Sequence, residues 1–215
     1  MSLLEEIAPR EATCYDLKGA IMRLGPAGFP FETFIAEILR EYGYQTTLRT
    51  KLKGKCAIHE IDVIALERES GKRYFIECKF HNSQGTYIDL KEALYTYARF
   101  LDLNNGGNAF DGAWLSCNTK ASFEARRYAE CMGMRLLCWK YPKDRGLERL
   151  IAEKKLYPIT ILRSLDSQAL NRFSKAHFML ARDLLMSDFE KIKAKTGLAD
   201  DKLSALLEEA KQICC

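Results

Sequence analysis

Residues 59–81 read HEIDVIALERESGKRYFIECKFH, and the fold turns on them. Two runs rich in β-branched and aromatic residues, HEIDVIALE and RYFIECKF, flank a polar ERESGK. The Ser70-Gly71 pair inside that polar segment predicts the turn of a β-hairpin. Each run carries charge where a sheet interior should have none. Asp62 sits within Ile-Asp-Val-Ile, and Glu77 and Lys79 within Phe-Ile-Glu-Cys-Lys-Phe. Side chains two apart on a strand share a face, so Glu77 and Lys79 point one way and Cys78 the other. Unpaired buried charge is strongly unfavourable, so this grouping needs something that offsets it. A divalent cation held by two carboxylates beside an amine would do so. A satisfied ion pair within the sheet would also do so. Acid-x-Lys triplets occur six times in the chain, so the triplet itself decides little. Only Glu77-Cys78-Lys79 lies in a strand-like apolar run that follows another strand bearing an isolated Asp.

Outward from the hairpin, residues 31–42, FETFIAEILREY, space Phe31, Phe34, Ile35, Ile38, Leu39 and Tyr42 at three- and four-residue intervals and predict an amphipathic helix. Gly43 closes it, and Glu32 stands in its first turn, where the helix dipole favours an acid. A short helix over about residues 14–24 precedes it, and a strand over 44–51 follows. Lys51, Lys53 and Lys55 then lead into the hairpin, either as solvated turn lysines or as phosphate contacts. Beyond the hairpin come a polar loop from His81 and a helix over about residues 88–103. That helix has Leu90, Leu94, Tyr97 and Leu101 as its apolar side and Lys91, Tyr95 and Arg99 as a second stripe. The second stripe is either a wet helix face or a row of phosphate contacts. A strand over 111–118, a helix over 122–132 and a strand over 134–141 predict a right-handed parallel crossover. The expected class is therefore α/β, a mixed sheet of about five strands flanked by helices. From Gly146 onward the pattern is helical, with expected helices over 147–154, 162–165 and 168–187 and a break at Gly197-Leu198.

The composition, 47% hydrophobic and 29% charged, is that of a soluble globular protein, and the net charge of +4 permits a polyanionic partner without arguing for one. No apolar run approaches the roughly 20 residues that span a bilayer. The first residues, MSLLEEIAPRE, lack the apolar core of a signal peptide, so the expected compartment is the cytoplasm with no membrane partner. The chain has eight Cys but no CxxC pair, which gives a structural zinc site little support. Cys78, Cys117 and Cys138 lie in apolar runs and read as small buried hydrophobes of a reduced protein.

Phe31-Glu32, Gly43-Tyr44, Ile61-Asp62-Val63 and Ile76-Glu77-Cys78-Lys79, in that order, resemble the motifs of the PD-(D/E)xK nuclease superfamily. The phrasing GKC, HEIDVIA, IECKFHN and LYTYARF looks like the Mrr-type restriction-endonuclease-like domain found fused to ATP-cone domains. The resemblance covers about residues 28–141. It implies a domain over residues 28–145 with a restriction-endonuclease-like core, an N-terminal helical arm over 1–27 and a helical region over 146–215. The Gly197-Leu198 turn of that last region resembles a helix-hairpin-helix.

The resemblance further implies a DNA endonuclease using Mg²⁺, for which Mn²⁺ can substitute. Asp62 and Glu77 would be its metal ligands, the Cys78 backbone carbonyl a third, and Glu32 a further one, directly or through water. Lys79 would be the catalytic lysine. Ile61 stands where the family's Pro would. The candidate DNA contacts are Lys51, Lys53, Lys55, His81, Gln84, Lys91, Tyr95 and Arg99, and dimerisation follows by analogy. Two rivals remain open from sequence: an inactive DNA-binding or regulatory module of the same fold, and an adaptor that docks through its C-terminal helices.

Overall fold

The computed structural model describes residues 16–25, 28–83 and 85–214. By contact these form two compact units. One is Ile35–Leu150, and the other joins the described residues up to Phe34 to those from Ile151 onward.

The first unit holds a five-stranded sheet built from β1 (Tyr44–Lys53), β2 (Ile58–Glu67), β3 (Arg73–Lys79), β5 (Gly112–Cys117) and β7 (Arg135–Leu137), in the order β1-β2-β3-β5-β7. Pairing is antiparallel from β1 to β3 and parallel from β3 to β7. The hairpin and the parallel crossover read from the sequence are both present, and the sheet is mixed as expected. Helix α3 (Leu90–Asn105) and helix α4 (Phe123–Cys131) cover one face. Phe75, Ile64 and Leu115 from the sheet pack there with Ala93, Leu103, Ala125 and Ala129 from the helices. On the opposite face Tyr44, Tyr74 and Trp114 meet edge to face or tilted, with ring centroids 5.6 to 6.2 Å apart.

Three local expectations are corrected here. The helix begins at Leu90 rather than Ile88, because Tyr87–Ile88 (β4) pairs in parallel with Lys120–Ala121 (β6) and Asp89 caps the helix in a reciprocal box with Glu92. Its inward face is Ala93, Thr96, Arg99 and Leu103, whereas Leu94 and Leu101 are exposed. The last strand stops at Leu137, because Cys138 turns back to bond the Tyr141 carbonyl at 2.7 Å. Cys138 and Trp139 are buried all the same, so their apolar character could not distinguish strand from turn.

In the second unit, α1 (Leu17–Met22) is held against a 3-10 turn at Ile159–Ile161, where Thr160 donates from its hydroxyl to the Ala20 carbonyl at 2.6 Å. The expected helices over 162–165 and 168–187 are replaced by that turn, by α6 (Ser167–Lys175) and by the short α7 (Asp183–Met186). The reason is an extended pairing of Tyr157–Ile159 with Met179–Ala181, through Ile159 N–H to Met179 C=O at 2.8 Å and Ala181 N–H to Tyr157 C=O at 2.9 Å. The break at Gly197 is present between α8 (Phe189–Thr196) and α9 (Asp200–Cys214), with Gly197 left-handed at φ 63°. At that turn the Gly197 N–H donates to the Lys193 carbonyl, and the Leu198 N–H lies 3.4 Å from the Thr196 hydroxyl oxygen. Helix α2 (Phe29–Glu41) and α5 (Leu147–Glu153) complete the elements. No helix among the described residues is long and apolar enough to cross a membrane.

The turn from β1 into β2 is fastened to the end of α3. Asp102 accepts the Cys56 and Ala57 amides at 2.8 and 3.2 Å and bonds the His59 ring at 2.8 Å. The His59 hydrogen bond leads the causes that hold the Asp102 carboxyl down at about 2, against an ordinary 3.8. A depressed acid stabilises the fold above its unfolded pKa, and that contribution is lost as pH falls from near 3.8 through about 2. Acid unfolding followed by circular dichroism should therefore show Asp102→Asn less stable than the parent at neutral pH, with the gap closing as pH falls from 3.8 to about 2. A gap that persists to the lowest pH would contradict this. The same corner has Gly106 packed so closely that a Cβ there would lie 2.5 Å from the Gly54 carbonyl carbon. Gly106→Ala should cost roughly 1–3 kcal/mol in urea unfolding, since backbone rather than a mobile side chain must move.

Candidate active site

The β2–β3 ladder ends at Val63 opposite Ile76. Continued by one step, that register would set Asp62 against Glu77 on the face covered by α3. Instead the two strands part. Beyond this point β2 stays paired with β1 from Ile61 back to Ile58, and β3 stays paired with β5 as far as Lys79. Side chains replace the missing ladder. The Asp62 carboxylate accepts the Cys78 amide at 2.7 Å. From α3, Arg99 donates to the Glu77 carboxylate and to the Glu60 carbonyl, bridging the two strands where their backbones separate. Across β2, Arg49 stands in the register position facing Asp62 but is missing from the ladder, with a left-handed φ of 48°. A non-glycine residue there stores strain of the kind that collects at functional sites.

Glu77 is 3% exposed, and both of its oxygens are in use. Lys79 Nζ lies 2.7 Å from Oε1, and Arg99 pairs with Oε2. Arg99 is itself 8% exposed, its guanidinium 5.3 Å from the Phe75 ring centroid and 5.5 Å from that of Tyr95. Burial alone would push the Lys79 ammonium down. The charge and hydrogen bond of Glu77, with Asp62 adding to them, outweigh that and hold it above the ordinary lysine value. Desolvation therefore does not turn Lys79 into a neutral base in this arrangement.

A hard divalent cation takes oxygen ligands, and Mg²⁺ is usually held by one or two carboxylates plus water and substrate phosphate rather than by a protein cage. Asp62, Glu77 and the Cys78 carbonyl are donors of that type. An ionised carboxylate has about four acceptor positions, so Glu77 keeps capacity beyond its two cationic neighbours. The donor set fits the ion. Among the described residues no cluster of three or more His, Cys, Asp or Glu is arranged to hold a metal.

The remaining sequence candidates range from buried to exposed. Glu32 is half-buried in the first turn of α2, within the part that clusters with the second unit. Arg99 is a buried partner of Glu77, not an exposed phosphate contact as its helical stripe suggested. His81 is half-buried and tied to the loop after β5: its backbone and Asn118 exchange hydrogen bonds at 2.8 and 2.9 Å, and its ring meets the Thr119 hydroxyl at 2.7 Å. Lys51, Lys53 and Lys55 are exposed, with Lys51 3.7 Å from Glu60. Lys91 and Tyr95 are exposed on α3, and Gln84 lies outside the described residues. Arg99 is the residue whose place sequence reasoning missed. The signal was available: a buried Glu requires cations, and α3 offers an Arg one turn after Tyr95.

A family model described as restriction endonuclease matches residues 26–140. The chain belongs to the Mrr-type restriction-endonuclease family. A second model, described as AF1548-like, C-terminal, matches residues 157–214. An uncharacterized protein of Archaeoglobus fulgidus is 44% identical over 179 residues, covering 83% of this chain and 99% of that one. The crystal structure of AF1548, a protein of unknown function, superposes with a TM-score of 0.78 at 41% identity, over 86% of this chain and 96% of the other. The first model falls on the mixed sheet with the Asp62 and Glu77 site, which is a PD-(D/E)xK nuclease-like domain, and the second on the C-terminal helices.

The pairing makes a thermodynamic prediction. Glu77→Ala leaves Arg99 buried without its carboxylate and should cost roughly 3–5 kcal/mol in chemical unfolding. Adding Arg99→Met to that variant should recover much of the loss. A single variant within about 1 kcal/mol of the parent would contradict the pairing.

Proposed function

We propose that the protein is a metal-dependent DNA endonuclease that hydrolyses phosphodiester bonds at the Asp62, Glu77 and Lys79 site. The observation that supports this most is the parted β2–β3 ladder, where two acids and an ammonium group share one opening of the sheet. Asp62, Glu77 and the Cys78 carbonyl would hold Mg²⁺ or Mn²⁺. When bound, such an ion acidifies water and neutralises charge on the phosphate.

The protein's own groups do the rest. Arg99 holds the Glu77 carboxylate in one orientation, so it need not reorganise during the reaction. Lys79, charged and half-exposed beside Glu77, would face the scissile phosphate. There it orients the attacking water by hydrogen bond and stabilises the negative charge that develops on the phosphate oxygens. Exposed Lys51, Lys53, Lys55 and Lys91 would meet backbone phosphates. Contacts of that kind give binding that weakens with salt and carries little sequence information.

Asp62→Ala and Lys79→Ala should each lower cleavage by roughly 100-fold or more with Mg²⁺ or Mn²⁺ present, while the fold and most DNA affinity persist. A gel assay across duplex, single-stranded, branched and methylated DNA reads this directly. Cutting that survives Asp62→Ala, or no cutting of any of these by the parent protein, would defeat the proposal.

A further inference from the structure

Next to Lys79 the surface of α3 is apolar and open. A groove of about 680 Å³ is lined by Lys79, Leu90, Lys91, Glu92, Leu94 and Tyr95. Tyr95 is 55% exposed, and its ring lies 5.8 Å from the Lys79 ammonium. Leu90 and Lys91 also line a second groove, of about 460 Å³, which continues past Tyr87 and Phe123 to Lys120. Tyr87 is 58% exposed and Phe123 63% exposed, and neither is required by the core cluster beneath. The two grooves share Leu90 and Lys91 and together carry three exposed rings, Tyr87, Tyr95 and Phe123, and three amines, the half-exposed Lys79 and the exposed Lys91 and Lys120. The acids lining them are Asp89, Glu92 and Glu124. The first two are turned back into the α3 cap, with Asp89 accepting the Lys91 amide at 2.7 Å and Glu92 accepting the Asp89 amide at 2.9 Å.

Duplex DNA presents phosphates outward and keeps its bases stacked, so it can satisfy the amines of such a surface but not the rings. A single strand can satisfy both, laying phosphates against cations and unstacked bases against aromatic faces. Charge complementarity and continuity with the catalytic amine select it over a neutral apolar partner. Resting on the endonuclease reading, we infer that this surface binds a single-stranded DNA segment that leads to the scissile phosphate at Lys79. The preferred substrate is then a duplex with an unpaired tail or flap.

Fluorescence anisotropy in EDTA tests this without cleavage, using a blunt duplex, the same duplex with a single-stranded tail of either polarity, and one with an abasic sugar-phosphate tail. One tailed duplex should bind on the order of tenfold tighter than the blunt one, and the abasic tail should lose most of that gain. Phe123→Ala and Tyr87→Ala should each remove a similar factor from the tailed substrate and leave the blunt duplex unchanged. Equal affinity for base-bearing and abasic tails overturns the inference, and needs no variant to read. A blunt duplex that is bound and cut as well as a tailed one overturns the inference alone and leaves the endonuclease standing. Binding to none of these DNAs overturns both. If Phe123→Ala instead dissociates a dimer in sedimentation and leaves tail preference unchanged, the surface is a contact between copies and the inference fails.

Discussion

The site depends on β2 and β3 ceasing to pair just where their next residues would be Asp62 and Glu77. An intact ladder would set these acids face to face within a continuous sheet. Once the strands part, backbone groups of Cys78 and Glu60 lose the partners that ladder would have given them. Asp62 and Arg99 supply replacements. Both contacts bridge the gap with charged groups where the ladder is absent. The opening is therefore a defect that the sequence maintains with charge, and the strained Arg49 facing Asp62 lies on the same line across the sheet. Such a defect is tolerable because the flanking pairings, β1 with β2 and β3 with β5, continue through it.

Arg99 gives the site its electrostatic character. A carboxylate as buried as Glu77 is far from water, and cations must replace the hydration it loses. Two do so, one deep and one at the mouth. The deep cation is a guanidinium, whose fixed fork reaches a carboxylate and a backbone carbonyl together while its face lies near Phe75 and Tyr95. A lysine at that position could not span both strands. The mouth cation, Lys79, is left accessible enough to meet an incoming anion. Its placement two residues after Glu77 on one strand sets both the pairing and the exposure.

Much of this was legible in the sequence because strand periodicity is strict. Once RYFIECKF is a strand, Glu77 and Lys79 must share a face, and Asp62 in the preceding strand of the hairpin must lie close by. The helix over them was harder. Leu90, Leu94, Tyr97 and Leu101 make a plausible apolar stripe. The helix nonetheless turns a narrower face inward, built on Ala93, Thr96 and Leu103, because Arg99 has a buried acid to reach. Hydropathy ranks an Arg as outward-facing and cannot represent a partner on another element. The parallel pairing of Tyr87–Ile88 with Lys120–Ala121 was hidden for a different reason: each segment is two residues long, too short to show any period. In the C-terminal unit the residues between α6 and α7 carry helical composition, but a pairing with Tyr157–Ile159 claims their backbone. The exposed rings of Tyr87 and Phe123 could not be told from core residues by composition, since only the fold shows that they are left outside.

The central claim is that the parted strands form a pocket for a divalent cation. Titration of the protein with Mn²⁺, followed by electron paramagnetic resonance in the presence of a non-cleavable DNA analogue, tests it most directly. The account predicts a bound ion that is lost in Asp62→Asn, with the circular dichroism spectrum unchanged. No bound Mn²⁺, or binding that Asp62→Asn leaves intact, would contradict it.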